Sequence, residues 1–262
     1  MSAQLKEVLG QSTRSLEGRV ADAEWQVRVD LAACYRLVAH FRMTDLIYTH
    51  ISARVPGPDH HFLINPYGFL FDEITASSLV KVDIDGNILE DRTGSGINPA
   101  GFVIHSAIHK VRHDAQCVLH THTSAGIAVS AQAGGLLNLS QHSMRFHNRL
   151  AYHDYEGVAL DMDEQQRLQA DLGDKWVMIL RNHGLLACGP SVADAFDNMY
   201  YLELSCQAQI SALSGGVPVT VVPDDVAERA ARQFERPERG SRSRHWVACM
   251  RLMDRIDPSY RQ

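Results

Sequence analysis

Apolar side chains recur at helical spacing near the start of the chain. From Asp22 to Arg42 they fall three or four positions apart, which is the spacing of one buried helix face. The apolar residues of this stretch are Trp25, Val29, Ala32, Ala33, Leu37, Val38 and Phe41. Further helices are predicted over 101–112, 124–131, 163–172 and 191–213, the last capped by Ser191 after a Gly-Pro pair.

Short runs rich in β-branched and aromatic residues predict strands between these helices. The predicted strands cover 47–55, 62–64, 79–84, 88–89, 117–119, 176–180 and 185–188. Asp85-Gly86-Asn87 predicts a hairpin turn. Because hairpin turns outnumber crossover helices, we expect a mixed α/β domain around a mostly antiparallel sheet.

The pattern divides the chain into three parts. Residues 1–20 are polar and predict an N-terminal arm, and 21–215 form the main domain. Gly215-Gly216 ends the long helix, and Pro218 and Pro223 mark a linker. Residues 216–262 are therefore expected to form a C-terminal helical extension.

Composition narrows the class of protein. The 262 residues are 45% hydrophobic and carry a formal net charge of −6, which argues against a partner with a polyanionic surface, such as nucleic acid or an anionic membrane. No apolar run approaches the roughly 20 residues that span a bilayer. Five cysteines show no paired spacing, which favours reduced thiols in a soluble cytoplasmic protein.

Three histidines are the candidate metal ligands that the sequence pattern predicts. His120 and His122 end an apolar run at i and i+2, so on a strand they share one face, with bases roughly 7 Å apart. His183 stands at the end of another apolar run, in the turn Asn182-His183-Gly184. Three histidines without cysteine are a typical ligand set of a catalytic metal with an open position. The chain has 14 histidines, so the His120/His122 pair alone is weak support.

Other histidines have plainer interpretations. His105 and His109 lie at i and i+4 on one predicted helix, a spacing that can bind metal. No His-Glu-x-x-His arrangement accompanies them. We therefore expect one of the two to face the sheet and the other to be exposed.

The order of these motifs resembles that of the class II aldolase/adducin family, and in particular its adducin-like bacterial branch. His120-Thr121-His122 follows a helix, Asn182-His183-Gly184 precedes a long helix, and Asn65-Pro66-Tyr67-Gly68 stands ahead of Asp72-Glu73. The resemblance covers roughly residues 25–215. It implies a three-layer α/β/α fold and a divalent ion on the three histidines, with zinc first and manganese or cobalt as alternatives. It also implies a homotetramer with active sites between subunits.

The resemblance also indicates which residues would bind the substrate. The family's phosphate loop, Gly-Asn-x-Ser, is replaced by Thr49-His50-Ile51-Ser52, which disfavours a sugar phosphate. His50 would then face a carboxylate or a hydroxyl group. The predicted substrate-binding residues are His50, Ser52, Asn65 and Gly68.

The predicted activity is that of a metal-dependent lyase. Retro-aldol cleavage and decarboxylation of a small hydroxy or keto acid or carbonyl compound both leave an enolate that a metal stabilises. Asp72, or its neighbour Glu73, is the predicted acid or base, since Phe69, Leu70 and Phe71 would partly desolvate a carboxylate. Tyr152, or else Tyr155, is the candidate proton donor. The alternative is a non-catalytic adducin-like binding module that keeps the fold.

Overall fold

A computed structural model describes residues 15–57, 60–157, 162–235 and 241–262. Within these ranges the helices are α1 Asp22–His40, α2 Pro99–Val111, α3 Ser124–Ser130, α4 Met162–Leu172, α5 Val192–Ser214, α6 Asp224–Phe234 and α7 Ser241–Ile256. The strands are β1 His50–Arg54, β2 Phe62–Ile64, β3 Val80–Val82, β4 Ile88–Glu90, β5 Cys117–Thr121, β6 Leu150–His153, β7 Val177–Leu180 and β8 Gly184–Gly189. Short 3₁₀ helices cover Phe71–Glu73, Ser143–Phe146 and Pro258–Arg261.

The eight strands form one sheet in the order β4-β3-β2-β1-β5-β8-β7-β6. Neighbours are antiparallel except β6 and β7, which are parallel. The predicted mostly antiparallel sheet is therefore confirmed. At its centre the register places His50 of β1 directly opposite His120 of β5, so both side chains leave the same face.

Helices cover both faces of the sheet, which confirms the three-layer α/β/α fold. On β5, Cys117 and Leu119 join the core under α1 and α5, while Val118 joins a second core with α2 and α4. Alternation along the strand therefore turns His120 toward the α2 side and Thr121 toward α5. The polar residues that leave the α2 face of the central strands build the site described below.

One local prediction was wrong. The predicted strand 47–55 begins only at His50, because Leu46 and Thr49 adopt left-handed backbone conformations, with φ of 48° and 67°, that a strand excludes. For the stretch 140–155 the sequence predicts a loop or short strands, and the structure has a 3₁₀ helix and the short strand β6 there. Its strand pairs with β7 over four residues, a long-range contact that leaves no local signal.

The C-terminal residues pack on the main core. Met253 and Tyr260 are buried within it, and the Tyr260 carbonyl accepts a hydrogen bond of 2.8 Å from the Ala76 N–H. Most of the predicted 1–20 arm lies outside the described residues, so the proposed division of the chain stays a prediction. No described helix has the length and apolarity needed to cross a bilayer.

A buried guanidinium ties α1 to the β3–β4 edge of the sheet. Arg28 has no exposed surface, and it contacts Glu24 and Glu90, each at 2.9 Å. It also donates to the carbonyls of Leu79, at 3.1 Å, and Ala76, at 3.4 Å. Burial alone would raise the pKa of Glu24, but hydrogen bonds from Lys81 and Arg28 hold that pKa below its usual value.

Candidate metal centre

The three predicted histidines meet at one point. His120 and His122 lie at the end of β5, and His183 lies in the turn between β7 and β8. His122 Nε2 is 2.8 Å from His120 Nε2 and 2.9 Å from His183 Nε2. The three candidate ligand atoms all lie within 4.8 Å of one another. Convergence of three imidazoles follows from strand alternation together with one tight turn.

Hydrogen bonds on the far side of two rings fix where their protons lie. His120 Nδ1 is 2.8 Å from the Leu185 carbonyl oxygen, and His122 Nδ1 is 2.9 Å from an Asp45 carboxylate oxygen. Both partners are acceptors, so each Nδ1 must donate and each Nε2 of the neutral ring is a lone pair. Two lone pairs that face each other at 2.8 Å repel unless a cation or a shared proton lies between them. The donor set therefore fits a divalent ion.

The turn that carries His183 depends on its neighbours. Asn182 adopts a left-handed conformation with φ of 56°, which asparagine tolerates better than most residues. A Cβ at Gly184 would lie 2.3 Å from the Thr121 carbonyl oxygen, so only glycine lets β8 approach β5 this closely. The Asn-His-Gly sequence thus brings His183 to the end of β5.

Burial keeps His120 and His183 neutral at physiological pH. Desolvation, with His183 and His122 adding to it, holds the pKa of His120 well below its usual value. Burial, with His122 and His153 adding, lowers the pKa of His183 to about 4. Neutral imidazoles are the form that binds metal, so an ion need not displace protons from these two rings.

Sequence reasoning did not find Asp45. It lies between α1 and β1 and forms an isolated β-bridge with Tyr48. Leu46, between the two, has a left-handed backbone conformation. Its side chain is 43% exposed, and that of His122 is 23% exposed, so this side of the cluster is open to solvent. No spacing or motif in the sequence marks Asp45 as a partner of a residue 77 positions later.

His50 is buried beside the cluster with its polar atoms unpaired. It is 6% exposed, and neither ring nitrogen has a hydrogen-bond partner among the described residues. The Thr49 hydroxyl is likewise buried and unpaired. A Cβ at Gly101 would lie 2.1 Å from His50 Nδ1, so the first turn of α2 covers the ring. Buried polar atoms without a partner need a further group, such as an ordered water, an ion or a bound ligand.

Ser52 is engaged by two histidines of α2. Its hydroxyl lies 2.7 Å from His105 Nδ1 and 2.8 Å from His109 Nε2. The prediction that one of these histidines is exposed was wrong, since His105 is 2% and His109 1% exposed. The cause is the polar α2-facing side of β1, which offers both rings a buried partner. His105 and His109 are thus held to Ser52 rather than to the three-histidine cluster.

The buried histidines predict a dependence of stability on acid. Burial, with His122 adding, lowers the pKa of His50 to about 4, and burial, with Arg54 adding, lowers that of His109 to about 3. In the unfolded chain these histidines have a pKa of about 6.5, so below that pH the unfolded state binds more protons than the folded state. The free energy of unfolding therefore decreases as the pH is lowered below about 6.5. Lowering the pH from 6.5 to 5 should reduce the free energy of unfolding by up to about 2 kcal/mol for each of the two histidines.

Urea unfolding of the chelator-treated protein, followed from about pH 7 to about pH 5, measures this loss. The variant His109→Gln should show a shallower slope than the parent protein. An equal slope in the two proteins would mean that His109 is not the buried neutral group described above.

The remaining predicted substrate-binding residues lie in different surroundings. Asn65 is 2% exposed, and its Oδ1 accepts a hydrogen bond of 2.8 Å from the Tyr35 hydroxyl. Gly68 lies in an exposed turn with φ of 92°. Their predicted roles toward substrate stay predictions.

The predicted catalytic residues are not joined to the histidines by any hydrogen bond or ion pair in the described part of the chain. Glu73 accepts a hydrogen bond of 2.7 Å from the Leu70 N–H, at the start of the 3₁₀ helix. Asp72, in the same helix, is exposed. The Tyr152 hydroxyl accepts from the Leu136 N–H at 3.0 Å, and the Arg181 guanidinium lies over its ring. Catalytic roles for Asp72, Glu73 and Tyr152 stay predictions.

Comparison with known proteins finds a family model and solved structures that match this chain. Residues 29–210 match the model of the class II aldolase and adducin N-terminal domain. A solved aldolase II superfamily protein from Pseudomonas syringae is 58% identical, with a TM-score of 0.90 over 95% of this chain and 100% of that one. L-fuculose 1-phosphate aldolase from Glaciozyma antarctica is 27% identical, with a TM-score of 0.80 over 98% and 99% of the two chains.

Similarity extends to a protein of another kind. Rat (Rattus norvegicus) alpha-adducin is 46% identical over 209 residues, which are 79% of this chain and 28% of the rat protein. The matched region of the rat protein is therefore a minor part of its length. The fold is shared by proteins named as aldolases and by proteins named as adducins.

Proposed function

The chain belongs to the class II aldolase/adducin family, and we propose that it is a divalent-metal-dependent lyase. The reaction is cleavage of a C–C bond, by retro-aldol cleavage or decarboxylation, in a small hydroxy or keto acid or carbonyl compound. The observation that supports this most is the convergence of one ring nitrogen from each of His120, His122 and His183, all within 4.8 Å of one another. Zinc is the first choice for such a ligand set, with manganese or cobalt as alternatives.

The chain's own residues would hold and orient the ion. When bound, it would supply positive charge that stabilises the oxygen anion left as a C–C bond breaks. Leu185 and Asp45 orient the His120 and His122 rings through their Nδ1 atoms. The half-buried His122 leaves one side of the cluster accessible to a small substrate.

The groups near His50 favour an uncharged oxygen in the substrate. A neutral imidazole offers one donor and one acceptor, and the Thr49 hydroxyl offers the same. A phosphate group is bound in proteins mainly by cations and backbone N–H groups, and these two side chains are neither. We therefore place a hydroxyl or carbonyl of a non-phosphorylated substrate beside His50, whose ring lies 5.9 Å from that of His105, the partner of Ser52.

Proton transfer is assigned to the acidic pair ahead of β3. Glu73 is engaged by the Leu70 N–H, whereas Asp72 is exposed and forms no hydrogen bond or ion pair with another described residue. Asp72 is therefore the proposed acid or base, with Glu73 as the holder of the turn. Tyr152 or Tyr155 remains the proposed proton donor, and Tyr155 lies with its ring 6.4 Å from that of His183.

Assembly into a homo-oligomer, a tetramer by family resemblance, would complete the site. Leu46 is 71% exposed, Tyr155 54% and Tyr48 47%, and all three lie close in sequence or space to cluster residues. Large apolar side chains that rim a polar site are suited to contact with another subunit. The reduced, mostly buried cysteines support a cytoplasmic location.

A substrate panel tests the activity. The protein is stripped with a chelator, restored with zinc, manganese or cobalt, and assayed against small hydroxy and keto acids for loss of substrate and release of aldehyde or carbon dioxide. We expect cleavage that disappears on stripping and returns with metal. Restored metal without turnover of any C–C substrate would contradict the lyase.

A matched pair of hydroxamates tests the substrate side of the site. Acetohydroxamate and glycolohydroxamate both chelate metals through the hydroxamate, but only the second carries a hydroxyl. We expect the parent protein to prefer glycolohydroxamate by about tenfold, the value of one added hydrogen bond, and His50→Leu to lose that preference. Isothermal titration of the zinc-loaded proteins measures it.

The control for the hydroxamate pair is His113→Leu, which changes an exposed histidine ahead of β5, outside the cluster, and should keep the tenfold preference. Added inorganic phosphate should leave glycolohydroxamate binding unchanged. Equal affinities for the two hydroxamates in the parent protein would refute the assignment of His50.

The second candidate is a non-catalytic adducin-like module, which the 46% identity to alpha-adducin favours. Such a module would need the fold but no open ligand position. It predicts unchanged thermal stability after chelation and no metal-dependent chemistry. Metal analysis of the protein as purified distinguishes the two candidates.

A further inference from the structure

A buried carboxylate lies behind the strand that carries the histidines. Glu203 of α5 is 4% exposed and forms no ion pair with a described arginine, lysine or histidine. The Thr123 hydroxyl donates a short hydrogen bond to Glu203 Oε2, and Gln207 Nε2 donates to Oε1 at 2.8 Å. Burial of a carboxylate costs several kcal/mol unless it is paired or hydrogen-bonded, and the donors to Glu203 are both uncharged.

The partner of Glu203 is the residue that directly follows His122. Thr123 caps α3, since its Oγ1 also accepts a hydrogen bond of 3.1 Å from the Gly126 N–H. The hydroxyl is thus used both as donor and as acceptor, which fixes its rotamer. The backbone between β5 and α3, where His122 lies, is held from the α5 side.

The same contact extends to the partner of His120. A Cβ at Gly126 would lie 2.6 Å from Thr123 Oγ1 and 2.7 Å from the Leu185 side chain, so the start of α3 fits tightly between them. The Leu185 carbonyl is the acceptor that orients His120. One turn earlier on α5, Met199 Sδ accepts from the Thr121 hydroxyl at 3.3 Å. Helix α5 therefore holds both residues that flank His122.

From these contacts we infer that Glu203 is a positioning residue of the metal centre, acting through Thr123 on His122; the inference rests on the proposed metal-binding function. Three neutral imidazoles bring no negative charge to a dication, and Glu203 adds a second carboxylate, on the α5 side of the strand, to that of Asp45 on His122. The carboxylate thus holds the geometry of the ligand strand and favours the charged, metal-bound form.

The test compares metal affinity in variants of the full chain by competition with a chromophoric chelator. Partners of metal ligands typically contribute 10- to 100-fold to affinity. We expect about tenfold weaker binding in Glu203→Gln, which keeps the size of the side chain, and about 100-fold in Glu203→Leu. The visible spectrum of the cobalt-loaded protein should shift in both, because the ligand geometry changes.

Two controls separate positioning from general stability. Asp197→Asn changes another carboxylate of α5 that is also 4% exposed but bonds to Arg145 and His245. It should lower the melting temperature without weakening metal binding. Thr123→Val removes the linking hydroxyl, whereas Thr123→Ser keeps it and should retain near-parental affinity.

A double-mutant cycle tests whether Glu203 affects metal affinity through Thr123. If Glu203 acts through Thr123, the double variant Glu203→Gln/Thr123→Val should bind metal no more weakly than the worse single variant. Additive losses, or unchanged affinity in Glu203→Gln, would overturn the inference while leaving the metal site intact. Metal binding with these couplings but no C–C cleavage would instead refute the lyase and sustain the role of Glu203.

Discussion

Replacing His183 by alanine should abolish tight binding of divalent metal and, with it, metal-dependent turnover. The ring supplies one of three protein ligands, and structural zinc sites with four ligands bind with roughly 10–16 kcal/mol, or about 2.5–4 kcal/mol for each ligand. Loss of one ligand should therefore weaken binding by about a hundredfold or more. Metal content after gel filtration and a competition titration measure this loss.

The matched control is His113→Ala, an exposed histidine outside the cluster. It should bind metal as the parent does. The melting temperature of chelator-treated His183→Ala should stay close to that of the chelator-treated parent, because only a part-exposed side chain is removed. Full metal content in His183→Ala would contradict the three-histidine site.

The largest expected loss of stability follows from Arg28→Leu. This change removes a guanidinium with no exposed surface and leaves Glu24, Glu90 and the Ala76 and Leu79 carbonyls without their shared donor. Removing one partner of a buried ion pair costs about 3–5 kcal/mol. The melting temperature should fall by about 10 °C, as measured by calorimetry.

A surface arginine provides the comparison. Arg232 pairs with Glu228 one turn earlier on α6, with 72% of its side chain exposed. Arg232→Leu should change stability by less than about 1 kcal/mol. Similar losses in the two variants would show that burial is not what makes Arg28 important.

Alternation and turn chemistry account for what the sequence could predict. His120 and His122 had to share a face once their run was assigned to a strand, and the Asn-His-Gly turn placed His183 at a strand end. Apolar spacing also predicted α1, α2 and α5 within a few residues of their observed ends. The local sequence pattern was therefore sufficient to predict the three candidate ligands and the helices and strands that carry them.

Groups that support the ligands could not be predicted, because their roles depend on contacts between distant residues. Asp45 reaches His122 across 77 positions, and Glu203 reaches Thr123 across 80. Ser52 was predicted to meet substrate, yet its hydroxyl is shared by His105 and His109 of a different layer. Only the assembled sheet and helices bring such partners together.

Anomalous diffraction from crystals of the metal-loaded protein tests the central claim most directly. Data collected at the absorption edge of zinc should show one strong peak for each chain, about 2.0–2.1 Å from the Nε2 atoms of His120, His122 and His183, with a position open toward solvent. The absence of a peak there, or a peak bound by other residues, would contradict the account.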